Sequence, residues 1–136
     1  MKDKKILVIG SSNTDMTIKS DKLPLPGETI LGGKFIMGPG GKGANQAVAA
    51  RRLGGKVEFV CKVGRDIFGK NSLEGYVKEG IDMSHILYSD EASGIALILV
   101  DGNGENMISV APGANSDLTV EDIESIADTI RESDYL

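Results

Sequence analysis

The run Gly38-Pro39-Gly40-Gly41-Lys42-Gly43 passes without a break into the alanine-rich stretch Ala44 to Leu53. Glycine and proline in that density favour neither helix nor strand, whereas alanine is the strongest helix former. The junction predicts a glycine loop that delivers the chain into a helix N-terminus. Such an end presents N–H groups with no intrahelical partner and the positive end of the helix dipole. With Lys42 among them, these groups make a site for hydroxyl oxygens or an anion. The same glycines serve equally well in a tight turn and nothing more.

Context argues against two better-known loops. The run satisfies G-x-G-x-x-G, but a dinucleotide fingerprint follows the first buried strand directly, and here two extended segments and a proline turn intervene. A phosphate-binding Walker loop needs Ser or Thr after its lysine to hold magnesium, and Gly43 stands there.

The first buried strand is Ile6 to Ile9, a continuous apolar run closed by Gly10-Ser11-Ser12. The segment after it lies at the C-terminal edge of a sheet, where open α/β folds bind ligands. Asn13 and Asp15 share one face if the chain stays extended there. A carboxylate that accepts from hydroxyls beside an amide that donates and accepts is what a polyol requires. An Asx-turn after the strand would use the same residues.

Further along, Met16 to Lys19 alternates as a half-exposed strand, Leu23-Pro24-Leu25-Pro26-Gly27 is a turn, and Thr29 to Met37 resumes extended character. Val57 to Val63 reads as a strand and Ile67 to Glu79 as an amphipathic helix ending at Gly80. Gly94 to Val100 and Asn106 to Val110 flank a hairpin loop at residues 101–105. Thr119 is the N-cap of a helix from Val120 to Arg131, and Asp134-Tyr135-Leu136 begins another strand. A central sheet of two or three strands leaves an edge unpaired and a face uncovered, so the natural protein is expected to continue beyond Leu136.

Composition narrows the partners. The 136 residues suit one domain, and 40% hydrophobic with 26% charged residues is an ordinary globular balance. A net charge of −5 with scattered Lys and Arg gives no basic stripe, which argues against nucleic acid. Cys61 is the single cysteine, within an apolar run, and reads as a buried core thiol. The lone His85 has no ligand partner nearby in sequence. No apolar stretch approaches the roughly 20 residues of a membrane span, and Met1 to Lys5 leads into a short strand instead of a signal-peptide core. The expectation is a cytoplasmic protein with no membrane partner.

Taken in order, these segments resemble the ribokinase family of carbohydrate kinases. Gly10 to Asp15 is similar to its first-strand motif, Pro24-Leu25-Pro26-Gly27-Glu28-Thr29 to its proline turn, and Gly40 to Ala50 to its N-terminal signature. Gly64-Arg65-Asp66-Ile67-Phe68-Gly69, Gly104-Glu105-Asn106 and Gly113-Ala114-Asn115 extend the likeness, with Arg65 where the family often has an acid. The resemblance implies an α/β fold, a central sheet flanked by helices, with a small β-sheet lid from segments near 16–37 and 94–111. Residues 1–136 would then be the N-terminal, sugar-binding part of an incomplete domain.

It further implies that Asn13 and Asp15 bind sugar hydroxyls, that Gly41 to Gly43 approach the sugar with their amides, and that Lys42 and Asn45 complete the pocket. The implied activity is transfer of the ATP γ-phosphoryl group to a pentose such as ribose. Another sugar or a nucleoside is the alternative substrate, and a non-catalytic sugar-binding or a dinucleotide-binding module is the alternative of another class. By the same resemblance, Mg²⁺ with ATP, a monovalent cation and the catalytic base would belong to segments beyond Leu136. A homodimer through the lid is implied too, since Ile95 to Val100 is apolar on both faces.

Overall fold

A computed structural model describes residues 4–136, and Met1 to Asp3 of the leading segment lie outside them. The first strand, β1 (Lys5–Ile9), pairs in parallel with a later strand, β4 (Lys56–Val60), in the register Ile6 to Val57 through Ile9 to Val60. Beyond Cys61 the chain resumes as β5 (Lys62–Gly64), paired in parallel with β6 (Leu87–Ser89). The stretch read as one strand over Val57 to Val63 is thus interrupted at Cys61, where it changes neighbours: the Gly10 amide closes the β1 side on the Val60 carbonyl, and Leu87 bonds to Cys61.

Between these strands lie β2 (Asn13–Lys19), β3 (Lys34–Gly40) and the helix α1 (Lys42–Arg52). Helix α2 (Ile67–Lys78) follows β5, and the hairpin β7 (Gly94–Val100) and β8 (Asn106–Ala111) follows β6. Strands β3-β2-β7-β8 form a second, four-stranded sheet in which only β2 and β7 run parallel. Each fold segment of the resemblance is present, with shifted boundaries. Gly38 to Gly40, read as neither helix nor strand, are the end of β3. Pairing with Asn13 to Asp15 overrides their weak propensity, and Pro39 is tolerated because β3 is an edge strand. Thr29 to Gly33, read as extended, stay outside the sheet, and the helix begins at Lys42, two residues before the alanines.

Alternation along β1 and β4 divides the core. Phe59, Val57, Cys61 and Val63 pack with Ala44, Ala47 and Tyr76, which puts α1 and α2 on one face of the central sheet. Phe59 meets Tyr76 edge to face at 5.2 Å, and burying each such side chain contributes about 1.5–3 kcal/mol. The other face carries Leu7, Val60 and Ile126. There the helix expected over Val120 to Arg131 is split into α3 (Val120–Ser125) and α4 (Ala127–Arg131). Ile126 leaves helical geometry and its amide turns to Ile123, which lets its side chain drop onto Leu7 and Val60. Thr119 caps α3 in a reciprocal box with Asp122, whose carboxylate also takes the Lys62 ammonium at 2.7 Å.

At the opposite end of the strands a buried acid is neutralised. Glu58, 3% exposed, accepts from Lys5 at 3.0 Å and from His85 Nδ1 at 2.5 Å. His85, isolated in sequence, therefore has a partner, because β4 carries Glu58 to the same face as Lys5. Tyr135 adds a parallel bridge to Ile6 on the free side of β1. No helix among the described residues is long and apolar enough to cross a membrane.

Cys61 is 1% exposed, and burial pushes its thiol pKa up to about 12. Its thiolate is scarce at neutral pH and unreachable. Thiol labelling of the native chain with a chromogenic disulfide should be slower by orders of magnitude than in urea, tracking global opening. Labelling at the rate of a free thiol would show the α1–α2 layer to be loose.

Candidate functional site

The polar residues at the end of β1 are held by close backbone packing. A Cβ on Gly43 would lie 2.7 Å from Gly10 Cα and 2.8 Å from Ser11 N, so the second residue of α1 rests directly on the chain leaving β1. That contact brings the Ala44 amide to the Ser11 carbonyl at 3.0 Å. Gly41 precedes the helix at φ 97°, a conformation that favours glycine, and a side chain there would also strike the Ser11 carbonyl. The amides of Lys42 and Gly43, first in the helix, have no backbone partner among the described residues. The Lys42 side chain beside them is exposed and forms no ion pair among the described residues.

Asn13 and Asp15 lie in β2, so the extended condition for a shared face is met. The ladder surrounds them with small residues. Asn13 sits between Gly40 and Gly94, and Asp15 between Gly38 and Ala96. Partners in register share a face, so the two polar side chains rise from a floor almost without side chains. The Asp15 carboxylate leans over Gly40, where a Cβ would come within 2.1 Å of it. Among the described residues Asp15 has no hydrogen-bond or ion-pair partner, and burial pushes its pKa up from the ordinary value. Its oxygens stay reachable, since no buried side-chain polar atom in the described chain lacks a partner.

Asn13 is held from the side. Its Oδ1 accepts from Asn115 Nδ2 at 2.8 Å, and Asn115 Oδ1 accepts from the Ser12 amide at 2.9 Å. Ser12 is buried, its hydroxyl 2.6 Å from the Tyr76 hydroxyl, which burial pushes up to about 12. Asn115 stands in the 3-10 turn Gly113–Asp117 that follows β8. In the sequence Asn115 closes the Gly113-Ala114-Asn115 motif, whose glycine and alanine predict a tight turn but not its destination.

Asn45 is one turn along α1 and exposed. It lines a groove of about 640 Å³ between α1, α2 and the opposite face of β2, with Thr14, Pro39, Phe68 and Asn71. The structure thus brings Asn13, Asp15 and the Gly41–Gly43 turn to one end of the strands and puts Asn45 at the rim of a neighbouring groove. The unpaired carboxylate of Asp15 is not among the groove's lining residues.

Gly64-Arg65-Asp66 serves the junction between the sheets. Asp66 caps α2 through the Gly69 amide at 2.8 Å and accepts from the Ser93 amide and hydroxyl at 2.7 and 2.8 Å, one residue before β7. Burial pushes its pKa up, but these donors outweigh it and hold the carboxyl below the usual range. Arg65 lies 4.6 Å over the Tyr88 ring. The described residues contain no group of three or more His, Cys, Asp or Glu able to hold a metal ion. A dinucleotide fingerprint is also absent in geometry, because its first two glycines, Gly38 and Gly40, are bound into an antiparallel strand.

Residues 3–136 match the pfkB family carbohydrate kinase model. The chain is 43% identical to the ribokinase of Mus musculus over 126 residues, which cover 92% of this chain and 39% of that protein. It is 43% identical to the ribokinase of Haemophilus influenzae over 134 residues, 98% of this chain and 44% of that protein. It is 40% identical to the deoxyribokinase of Salmonella typhi over 127 residues, 93% and 42% respectively. Among solved structures, Thermotoga maritima ribokinase superposes with a TM-score of 0.84 at 40% identity, covering 95% of this chain and 42% of that one. Arabidopsis thaliana ribokinase complexed with ribose and ATP gives 0.73 at 28% identity, covering 93% and 43%. The chain spans about two fifths of the length of the curated relatives it matches.

The raised pKa of Asp15 has a consequence for the fold. A carboxyl whose folded pKa lies above its unfolded value stabilises the fold at low pH and loses that contribution as pH rises through the folded value. At neutral pH the charge therefore works against folding. Asp15→Asn should melt at or above the wild-type temperature at pH 7, the difference closing as pH falls below the ordinary aspartate range. A clear drop in Tm at pH 7 would reveal a stabilising partner for the carboxylate.

Proposed function

The chain belongs to the pfkB family of carbohydrate kinases, and from that premise we propose that it is the sugar-binding part of an ATP-dependent pentose kinase. The observation that carries this is Asp15: an unpaired, half-buried carboxylate beside Asn13 on a floor of glycine and alanine, next to the free amides of α1. In this reading Asp15 accepts from sugar hydroxyls, Asn13 contacts an adjacent oxygen, and the amides of Gly41 to Gly43 approach the ring. Lys42 and Asn45 close the pocket from α1, Asn45 by turning its side chain out of the neighbouring groove.

Ribose is the substrate we favour, with 5-phosphorylation as the reaction. Likeness to a deoxyribokinase keeps the deoxy sugar as a second reading. The four-stranded sheet acts as a lid, excluding water so that phosphate is transferred to sugar and not to solvent. The described residues contain no cluster of acids, histidines or cysteines fit to hold magnesium. Magnesium with ATP, a monovalent cation and the base that deprotonates the sugar are assigned to the remainder of a longer kinase. A cytoplasmic location is part of the same proposal.

Each hydrogen bond from a hydroxyl to a carboxylate contributes roughly 1.5–3 kcal/mol. Asp15→Ala in the whole kinase should therefore raise the sugar KM about ten- to more than a hundredfold. The ATP KM should stay near wild type. Steady-state kinetics with ribose and with deoxyribose, varied separately at saturating ATP, tests the reading and ranks the two sugars. A sugar KM within about twofold of wild type in a well-folded variant would remove Asp15 from the site.

The lid sheet is apolar on both faces. Phe35, Met37, Leu97 and Met107 are half exposed on one, and Ile36, Ile108 and Val110 on the other. One face closes over the sugar, and we propose that the other is covered by the lid of a second copy. Light scattering of the whole kinase at micromolar concentration should give a dimer mass. Leu97→Asp should shift it toward monomer, and a monomeric wild type would end this proposal.

A further inference from the structure

Asn13 and Asp15 differ in what each can offer a ligand. The carboxylate only accepts, whereas an amide donates or accepts according to which way it is turned. Two contacts fix that orientation. The Ser12 backbone amide can only donate, and its acceptor at 2.9 Å is Asn115 Oδ1. This forces Asn115 Nδ2 to the other side, where it lies 2.8 Å from the side-chain oxygen of Asn13. That oxygen must then face Asn115, which leaves the Asn13 NH2 turned away and without a partner among the described residues. A backbone group thus dictates the orientation of the Asn13 amide through one intermediate side chain.

The clamp is built for this purpose in two further respects. Asn115 Nδ2 also lies 3.1 Å from the Ser12 carbonyl and 3.0 Å from that of Pro112, so it is seated among acceptors only and cannot reverse. Gly94 makes room for the pair, because a Cβ there would lie 2.1 Å from Asn115 Nδ2 and 2.3 Å from Asn13 Oδ1. Ser12 is itself pinned by its hydroxyl bond to Tyr76.

We infer that Asn115 is a positioning residue that presents the NH2 of Asn13 to the sugar, so that the site offers one donor beside the acceptor Asp15. The inference rests on the sugar-site reading above and deepens it. The pair suits a sugar hydroxyl that donates to Asp15 while it, or an oxygen next to it, accepts from the Asn13 NH2. Because Asn115 follows β8 directly, the hairpin of the lid is tied to the same contact, and the orientation of Asn13 depends on the lid being seated.

The test is a double-mutant cycle in the whole kinase, with sugar KM, ATP KM and kcat measured for each variant. Asn115→Asp keeps the size and the acceptor for Ser12 but sets an oxygen against Asn13 Oδ1, which turns the Asn13 amide around. Sugar KM should rise about tenfold with ATP KM unchanged. In the Asn13→Ala background the same substitution should add less than about a twofold further change, since its target is gone. Multiplying effects, or a rise in ATP KM equal to that in sugar KM, would overturn the positioning role and leave the sugar site standing. An unchanged sugar KM in Asn13→Ala alone would overturn the sugar-site reading and this inference with it. Should Asn115→Asp fail to fold, Asn115→Ala removes the clamp without the opposing carboxylate, and the same cycle with that variant decides between the same outcomes.

Discussion

The approach of Gly43 to Gly10 determines most of what lies above the central sheet. With any side chain at either position, α1 would have to stand off from the end of β1, and the Ser11 carbonyl would lose the Ala44 amide. The turn at Gly41 would then have no reason to take a φ of 97°, and β3 would not be delivered edge to edge against β2 at Gly40 and Asn13. The placement of Asp15 over Gly40 follows in turn. A single van der Waals constraint between two backbones thus sets the distance between a helix dipole and a carboxylate.

The second sheet depends on two small polar junctions for its orientation. Asp66 binds the residue before β7 to the cap of α2, and Asn115 binds the turn after β8 to Ser12. Both use side chains on the central body to satisfy backbone groups where the chain crosses between sheets, which is where regular ladders leave them unpaired. Away from these junctions the sheet has little behind it, and β8 is exposed along its whole length. A layer anchored at one end by polar contacts and bare at the other has few contacts to break on tilting, which is what the proposed lid requires.

The helices, the hairpin and the glycine loop into α1 were legible in sequence because each carries its own local signal. Alanine, a capping threonine and an Asp-Gly-Asn-Gly loop act within a few residues. The features that stayed hidden depended on partners far along the chain. Gly38 to Gly40 became strand through pairing with Asn13 to Asp15, Ile126 broke its helix to reach Leu7 and Val60, and His85 gained Glu58 across 27 residues. Asn13 and Asp15 were singled out as candidates from residue type and position after β1. Asn115 could not be, because its bonds to Ser12 and Asn13 span 103 and 102 residues.

Two aspartates show how the site separates itself from the scaffold. Asp66 and Asp15 are both partly buried and both lie beside the crossing between sheets. Asp66 is met by two backbone amides and a hydroxyl, which lower its pKa against the effect of burial, so its charge is absorbed by the structure. Asp15 suffers burial with no such return, and its pKa is raised. A fold selected only for stability would replace that carboxylate or give it a donor. Instead the Asn115 amide is directed to Asn13, and the neighbours of Asp15 in register are a glycine and an alanine, which can donate nothing from a side chain. An acceptor kept clear of protein donors on both sides is what the proposed sugar site calls for, since a ligand bringing its own hydroxyls would supply the missing donors.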